Sequence, residues 1–185
     1  ESFNEAYIVI NGVITETGGQ LNVSYRYVGW LLTVPLLLLE LVLVIRLKRE
    51  ETFSLGAKLT IAAIIMVLLG YSGEGLVGSD QLHERWIYWS LAMFPFLFIL
   101  YNLIIKLRNP ISKPPKIVQS LVSNSRWLLI ASWTIYPVVY LLPIFKPSTS
   151  YVNLQVGYTV ADILSIAAFG IMIYLIAQRK SDIGA

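Results

Sequence analysis

Ionisable residues inside otherwise apolar stretches are the first candidates for a chemical role, because a charge in lipid is costly and is rarely kept without a function. Arg26, Gly29, Thr33 and Glu40 follow one another at offsets of 3, 7 and 14 from the arginine, so they share one face of a helix. Such a face can line a proton path with an outer cation and an inner carboxylic acid. Alternatively, Glu40 lies close enough to the membrane interface to hydrate and only marks the end of the helix.

Asp162 is the only acidic residue in the last apolar stretch, residues 157–177. A lone buried carboxylate needs a cation, and Arg26 is the only basic residue at a comparable depth in another stretch. We therefore predict that Arg26 and Asp162 form an ion pair, either directly or through water.

Aromatic residues form a stripe at helical spacing beside a proline that can kink the helix, at Trp133, Tyr136, Pro137 and Tyr140. Such a stripe usually serves only packing. Together with Trp30 and Trp89 from other stretches, it can also form a box around a long apolar ligand. His83 stands beside Asp80, Glu84 and Arg85 in a predicted outer loop, where we expect it to be a solvated residue and not a metal ligand.

The elements that position these residues are membrane-spanning helices. Of the 185 residues, 56% are hydrophobic and only 14% are charged, whereas a soluble domain keeps about 25% charged residues. The bilayer is therefore the solvent, and a nucleic-acid partner is excluded. The continuously apolar runs favour an all-α polytopic bundle over a β-barrel. Five predicted spans cover residues 25–45, 55–71, 86–105, 127–145 and 157–177.

Basic residues set the expected orientation in the cell membrane, because cytoplasmic loops accumulate Lys and Arg. The cytoplasmic ends and loops of the predicted spans hold Arg46, Lys48, Arg49, Lys58, Lys106, Arg108, Lys113, Lys116, Arg126, Arg179 and Lys180. Only Arg26, Arg85 and Lys146 lie toward the other side. We expect an outer N-terminus, a cytoplasmic loop at residues 109–115 and a cytoplasmic C-terminus.

The domain organisation is simple. Residues 1–22 form an outer segment in which Asn11-Gly12, between two apolar runs, predicts a β-hairpin with a type I′ turn. Residues 23–180 form the transmembrane bundle, and residues 181–185 form a cytoplasmic tail. The outer segment lacks the marks of a signal peptide, so we expect the numbered chain to begin inside a longer protein. No disulfide or thiolate site is available, because the chain has no cysteine.

Several motifs resemble microbial rhodopsins of the proteorhodopsin and xanthorhodopsin type. Residues 25–40, YRYVGWLLTVPLLLLE, closely resemble the third helix of that family. Residues 132–140, SWTIYPVVY, resemble the sixth helix, and residues 161–170, ADILSIAAFG, the seventh. Residues 70–74 and 98–101 fit the fourth and fifth. The resemblance implies a seven-helix fold of which five spans are visible and the first two helices are missing.

The resemblance implies retinal inside the bundle, with light driving its isomerisation and outward proton transfer from a protonated Schiff base. The positions that match the retinal pocket are Trp30, Thr33, Val34, Leu37, Met66, Gly70, Trp89, Phe96, Trp133, Tyr136, Pro137 and Tyr140. Arg26 matches the outward gate, Glu40 the cytoplasmic proton donor and Asp162 one of two counterion carboxylates. Leu37 matches a colour-tuning position.

Two central positions depart from the family pattern. The retinal-linking lysine of the family lies four residues after the seventh-helix aspartate, beside Ser165, and here that position holds Ile166. The primary proton acceptor, an aspartate four residues before Thr33, is Gly29. The two losses fit together, because removing one cation and one carboxylate leaves Arg26 against Asp162 and strands no charge.

Three hypotheses follow. In the first, the chain is a retinal protein of the light-driven proton-pump type that has lost covalent retinal linkage and the proton acceptor. In the second, it binds retinal or another apolar ligand noncovalently, without photochemistry. In the third, it is a structural fragment that needs a partner supplying two helices. Enzymatic activity is not expected, because the chain lacks paired membrane aspartates, a Ser/His pair and HExxH. Homo-oligomers are typical of the family.

Overall fold

A computed structural model describes residues 7–16, 23–45, 47–74, 81–105, 116–145 and 150–182. The expected cytoplasmic loop at residues 109–115 lies outside these ranges. In chain order the elements are β1 Tyr7–Ile10, β2 Val13–Glu16, α1 Ser24–Ile45, α2 Arg49–Glu74, α3 Leu82–Ile105, α4 Lys116–Trp133, α5 Ile135–Tyr140, α6 Leu142–Phe145, α7 Ser150–Asp162, a π-helical segment Ile163–Ala168 and α8 Phe169–Asp182.

Five helical stretches in the described ranges are long and apolar enough to cross a membrane, which confirms the predicted all-α polytopic bundle. Four of them begin four or more residues earlier than predicted, at Arg49, Leu82, Lys116 and Asn153, because hydropathy detects only the part of a helix that is apolar. In α2, Glu50 and Glu51 lie in the first turn, where their charges favour the helix N-terminus.

The predicted hairpin is confirmed. Strands β1 and β2 pair antiparallel, with Ile10 opposite Val13. Asn11 and Gly12 between them have φ of 51° and 79°, the left-handed conformation that a type I′ turn requires at both central positions.

The fourth span is interrupted around its prolines. The N–H of Leu141 donates to the carbonyl of Val138 at 3.2 Å, and the N–H of Ile144 donates to that of Leu141 at 3.0 Å. Both bonds reach three residues back instead of four, as in a 3₁₀ turn. These tight turns leave the carbonyls of Pro137 and Tyr140 available to donors from outside the helix.

The fifth span changes its winding directly after Asp162. Residues Ile163–Ala168 form a π-helical segment between α7 and α8. A π turn inserts one extra residue into a helix and rotates everything beyond it. The segment therefore sets the directions in which the side chains of Ser165 and Ile166 point relative to the bundle.

Two buried clusters hold the bundle together. One consists of aliphatic and aromatic side chains toward the α1 C-terminal half, including Leu38, Leu41, Leu59, Ile99, Leu103 and Leu129. The other is rich in aromatic residues and includes Tyr27, Trp30, Val67, Val139, Leu154 and Tyr158. By contrast, a face of α1 with Val28, Leu32, Leu36 and Glu40 is exposed. The bundle of described helices thus leaves one side of α1 uncovered.

Candidate functional site

An aromatic cavity of about 100 Å³ lies between the first four spans and α7. It is lined by Tyr27, Trp30, Val34, Met66, Val67, Gly70, Trp89, Ala92, Met93, Phe96, Trp133, Tyr136, Pro137, Tyr140 and Tyr158. The ring of Trp30 meets those of Tyr136 and Tyr158 edge to face, with centroids 5.1 and 5.0 Å apart. Such pairs fix the orientation of aromatic walls.

Most of the positions that the sequence assigned to a retinal pocket lie in this lining. The members it shares with the prediction are Trp30, Val34, Met66, Gly70, Trp89, Phe96, Trp133, Tyr136, Pro137 and Tyr140. Thr33 and Leu37 are not in the lining: the Thr33 hydroxyl donates to the Gly29 carbonyl at 2.9 Å, and Leu37 is buried in the aliphatic cluster.

Five lining residues were missed by the predictions from sequence, namely Tyr27, Val67, Ala92, Met93 and Tyr158. Each lies three or four residues from a predicted site residue on the same helix, as Tyr27 does from Trp30 and Tyr158 from Asp162. Residues at that spacing share a helix face. Extending the helical period in both directions from the predicted residues would have found them.

Trp89 is fixed by the break in the fourth span. Its indole Nε1 donates to the carbonyl of Pro137 at 3.0 Å, the group that the tight turn at Leu141 leaves available. The kinked helix and the cavity wall are therefore linked, because the irregular backbone supplies the acceptor that orients a tryptophan of the wall.

Asp162 lies behind the cavity wall and is held by two neutral donors. The indole Nε1 of Trp30 donates to its Oδ1 at 2.7 Å, and the Tyr136 hydroxyl donates to the same oxygen at 2.8 Å. The hydroxyls of Tyr136 and Ser165 are 2.7 Å apart. Three spans thus converge on one carboxylate, since Trp30 is in α1, Tyr136 in α5 and Asp162 at the end of α7.

The predicted direct ion pair between Arg26 and Asp162 is wrong. No nitrogen of Arg26 bonds to Asp162 among the described side chains, and the buried Nη1 of Arg26 has no partner there. Instead, the Arg26 guanidinium lies against the rings of Trp30 and Tyr158, at 5.9 and 5.4 Å from their centroids. The physical reason is position. Arg26 lies one helical turn before Trp30 along α1, so the Trp30 indole, and not the Arg26 guanidinium, reaches the Asp162 carboxylate.

Ile166 and Gly29, at the two positions where the resemblance implies a lysine and an aspartate, are accommodated without strain. Ile166 is half-buried and packs against the aliphatic cluster that includes Trp133. A Cβ added at Gly29 would meet nothing within 4 Å. Neither side chain offers an amine or a carboxylate near Asp162.

The expectation that Arg85 lies in an outer loop is also wrong. It lies in the first turns of α3 and is 0% exposed. Its Nη2 lies 3.6 Å from Glu74 Oε2, and Glu74 at the end of α2 is 3% exposed. Hydropathy placed the start of the predicted span at Trp86 and so left Arg85 outside it. Arg85 nevertheless lies one helical turn from Trp89 and shares its face. The neighbouring His83 is exposed, as expected, and so is Glu84.

Backbone carbonyls complete the surroundings of Arg85. Its Nε and Nη2 donate to the Tyr140 carbonyl at 3.2 and 2.8 Å, and its Nη1 donates to those of Gly73 and Glu74 at 3.1 and 2.7 Å. The Tyr140 carbonyl is the second group that the tight turns of the fourth span leave available. The guanidinium also lies 4.1 Å from the centroid of the Tyr140 ring.

Glu40 is exposed on the uncovered face of α1. The face that the sequence suggested as an interior path therefore lies on the surface of the described bundle, at least at Gly29 and Glu40. Its use as a proton donor stays a prediction. Within the described ranges, no group of three acidic, His or Cys side chains is placed to hold a metal ion.

The arrangement can hold an apolar molecule between aromatic rings. It places a carboxylate, Asp162, behind that space, with its charge stabilised by the indole of Trp30 and the hydroxyl of Tyr136. It offers no side chain in the lining that could bond covalently to an aldehyde, because that requires an amine.

Residues 4–179 match the model of the family described as bacteriorhodopsin-like protein. The chain is 30% identical over 178 residues to the green-light absorbing proteorhodopsin of Gamma-proteobacterium EBAC31A08, covering 95% of this chain and 69% of that protein. It is 28% identical over 170 residues to archaerhodopsin-2 of Halobacterium sp. (strain aus-2), covering 90% of this chain and 62% of the relative.

Solved structures agree. Xanthorhodopsin, described as a light-driven ion pump with dual chromophore, is 42% identical and superposes with a TM-score of 0.81, over 98% of this chain and 72% of that structure. A thermophilic rhodopsin is 38% identical with a TM-score of 0.83, over 97% of this chain and 72% of that one. Because the family model matches nearly the whole chain, this chain belongs to the bacteriorhodopsin-like family of microbial rhodopsins.

Proposed function

We propose that this chain binds retinal inside the aromatic cavity without a covalent bond, and that it derives from light-driven outward proton pumps. The observation that carries the proposal is the cavity itself, whose wall keeps most positions of the expected retinal pocket while Ile166 stands where the resemblance places the linking lysine. Its similarity to proteorhodopsin and xanthorhodopsin supports the ancestry.

The residues of the chain fit such a ligand in one respect and not in another. The flat walls of Trp30, Trp89 and Trp133 suit a polyene. Covalent attachment does not fit, because Ile166 carries no amine, and Gly29 carries no group that receives a proton. Retinal, when bound, would supply a chromophore that changes shape in light, but no proton relay of the family type starts here.

Entry of the ligand requires side chains to move. A polyene of about twenty carbon atoms needs more room than the cavity of about 100 Å³ offers, and the flexible thioethers of Met66 and Met93 are the wall members best able to make it. Met66 lies on α2 and Met93 on α3, so both helices can contribute to the widening.

The test is to add all-trans-retinal to the purified protein and to record the absorption spectrum and tryptophan fluorescence, before and after hydroxylamine. We expect quenched fluorescence and an absorption band that hydroxylamine does not bleach. A visible band that hydroxylamine removes would show a Schiff base and contradict the proposal. Absence of any quenching would contradict retinal binding and favour a structural role.

A double substitution tests the ancestry. We expect light-driven acidification by cells only after Ile166→Lys and Gly29→Asp are combined, since the first restores the amine and the second the acceptor. Ile166→Lys alone serves as the matched control, and pumping by the unchanged chain would contradict the proposed loss.

We also propose that two further helices, supplied by another chain, cover the exposed face of α1. An exposed Glu40 between apolar side chains favours a protein neighbour over lipid. The chain spans 69% of the proteorhodopsin that it matches, which leaves room for such helices. Copurification of a second polypeptide would support this, and a stable, folded preparation with no second polypeptide would contradict it.

A further inference from the structure

Arg85 and Glu74 form a buried ion pair that no step of the proposed function uses. The pair lies at the N-terminal end of α3 and the C-terminal end of α2, away from Asp162. Burial of two charges is expensive and is repaid only where further hydrogen bonds satisfy them. Here, side chains and carbonyls from the described spans supply those bonds, which gives the pair more partners than a simple link between two helices needs.

Glu74 is the acceptor that gathers two tyrosines. The hydroxyl of Tyr27 on α1 donates to its Oε2 at 3.0 Å, and that of Tyr158 on α7 donates to the same oxygen at 3.1 Å. Arg85 approaches this oxygen as well. On the other side, Arg85 fixes Tyr140 through its carbonyl and its ring.

Tyr27, Tyr140 and Tyr158, the tyrosines gathered by the ion pair, are all members of the cavity wall. Tyr27 and Tyr158 also enclose Trp30 edge to face, with centroids 4.9 and 5.0 Å from the indole. The indole in turn donates to Asp162. A continuous series of short contacts therefore runs from the ion pair to the carboxylate behind the cavity.

We propose that the Arg85–Glu74 pair is a positioning device for the ligand cavity, which holds Tyr27 and Tyr158 against Trp30 and so sets the orientation of the indole toward Asp162. Arg85 and Glu74 act only through the tyrosines and do not touch the ligand. Part of the test rests on the proposed function, because it uses a bound retinoid, and part is independent of any ligand.

The ligand-free test uses protein labelled with 5-fluorotryptophan and ¹⁹F NMR, with the Trp30 signal assigned from Trp30→Phe. Tyr27→Phe and Tyr158→Phe keep the rings in the wall and remove only the hydroxyls that bind Glu74. We expect both to shift the Trp30 signal and to leave that of the exposed Trp127 in place. Tyr101→Phe, which removes the hydroxyl of an exposed tyrosine on α3, is the matched control and should shift neither.

The ligand test measures the dissociation constant of all-trans-retinal by fluorescence quenching, together with the induced circular dichroism of the bound polyene. We expect Tyr27→Phe and Tyr158→Phe each to weaken binding about threefold to tenfold, as the loss of one interhelical hydrogen bond would, and to change the dichroism. Glu74→Gln should act in the same direction. Because Glu74→Gln can also impair folding, the two Phe variants carry the decision.

The outcomes separate the two proposals. If the unchanged chain binds no retinal, the proposed function fails, and the Trp30 signal alone judges the positioning role. If the unchanged chain binds retinal but the Phe variants bind within twofold of it and leave the Trp30 signal unmoved, the positioning role is wrong while the proposed function stands. If Tyr101→Phe changed the Trp30 signal and the binding of retinal as much as Tyr27→Phe and Tyr158→Phe do, the positioning role would also be wrong.

Discussion

At the scale of single residues, the decisive finding is which group holds Asp162. The sequence pointed to a charge, Arg26, but the carboxylate is bound by an indole and a phenol. Neutral donors can stabilise a carboxylate when they are preoriented, and here edge-to-face contacts orient Trp30. Arg26 instead lies against the aromatic rings of Trp30 and Tyr158.

Double-mutant cycles distinguish these two arrangements. We expect Tyr136→Phe and Asp162→Asn to be coupled by about 0.6–1.7 kcal/mol in the free energy of unfolding, the range for a direct interhelical hydrogen bond in a membrane. Arg26→Gln and Asp162→Asn should be coupled less. The free energies come from unfolding by SDS in detergent micelles, and a stronger coupling for Arg26 would restore the ion-pair hypothesis.

At the scale of elements, helix ends and breaks build the wall as much as the regular turns do. The tight turns of the fourth span leave the Pro137 carbonyl to Trp89 and the Tyr140 carbonyl to Arg85. The prolines of this span were visible in the sequence, and a kink was expected. The donors that meet the freed carbonyls, Trp89 and Arg85, belong to α3 and lie 48 and 55 residues away in the chain from the carbonyls they bind.

Close helix contact at Gly73 gives a prediction at this scale. A Cβ there would overlap the Tyr140 hydroxyl and come within 2.7 Å of Tyr88 Cβ. We expect Gly73→Ala to destabilise the protein by about 1–3 kcal/mol through overpacking, measured as the midpoint of thermal unfolding in micelles. Gly170→Ala on α8 is the control, since a Cβ there meets nothing within 4 Å, and it should be neutral or slightly stabilising. Equal midpoints for the two variants would show that α2 and α5 are less closely packed than described.

At the scale of the whole molecule, the Arg85–Glu74 pair joins all five described spans. Arg85 is in α3 and Glu74 in α2, while Tyr27, Tyr140 and Tyr158 bring in the other three. A pair with so many partners is costly to break from one side, because the remaining charge stays buried without compensation.

Removing Arg85 should therefore cost far more than removing an exposed arginine. We expect Arg85→Met to lower the free energy of unfolding by about 3–5 kcal/mol. Arg179→Met is the matched control, because Arg179 pairs with Asp182 at 3.8 Å in an exposed position and its loss should cost about 0–1 kcal/mol. Similar losses in the two variants, by SDS unfolding, would contradict a structural role for the buried pair.

Orientation in the membrane is a second prediction for the whole molecule. The absence of cysteine lets a single introduced thiol report its side without background. We expect Val9→Cys in the hairpin to react with an impermeant maleimide in intact cells, and Ser181→Cys near the end of α8 to react only after permeabilisation, as the distribution of basic residues indicates. The reverse pattern would place the C-terminus outside.

The resemblance to microbial rhodopsins implied most of the cavity wall, and the sequence by itself determined the class of the molecule, the spans and the hairpin. These follow from local rules: apolar length sets a membrane helix, Asn-Gly sets a type I′ turn, and helical spacing puts residues on a shared face. Tertiary structure alone decided which side chains meet across helices. Arg85 looked like a loop residue because its neighbours in sequence are polar, yet it is buried against groups of the second and fourth spans. Asp162 makes no direct bond to its predicted cation, because hydrogen bonding is short-ranged and the side chain that reaches the carboxylate depends on angstrom-scale packing that spacing along one helix does not encode. A link between Arg26 and Asp162 through water stays a prediction.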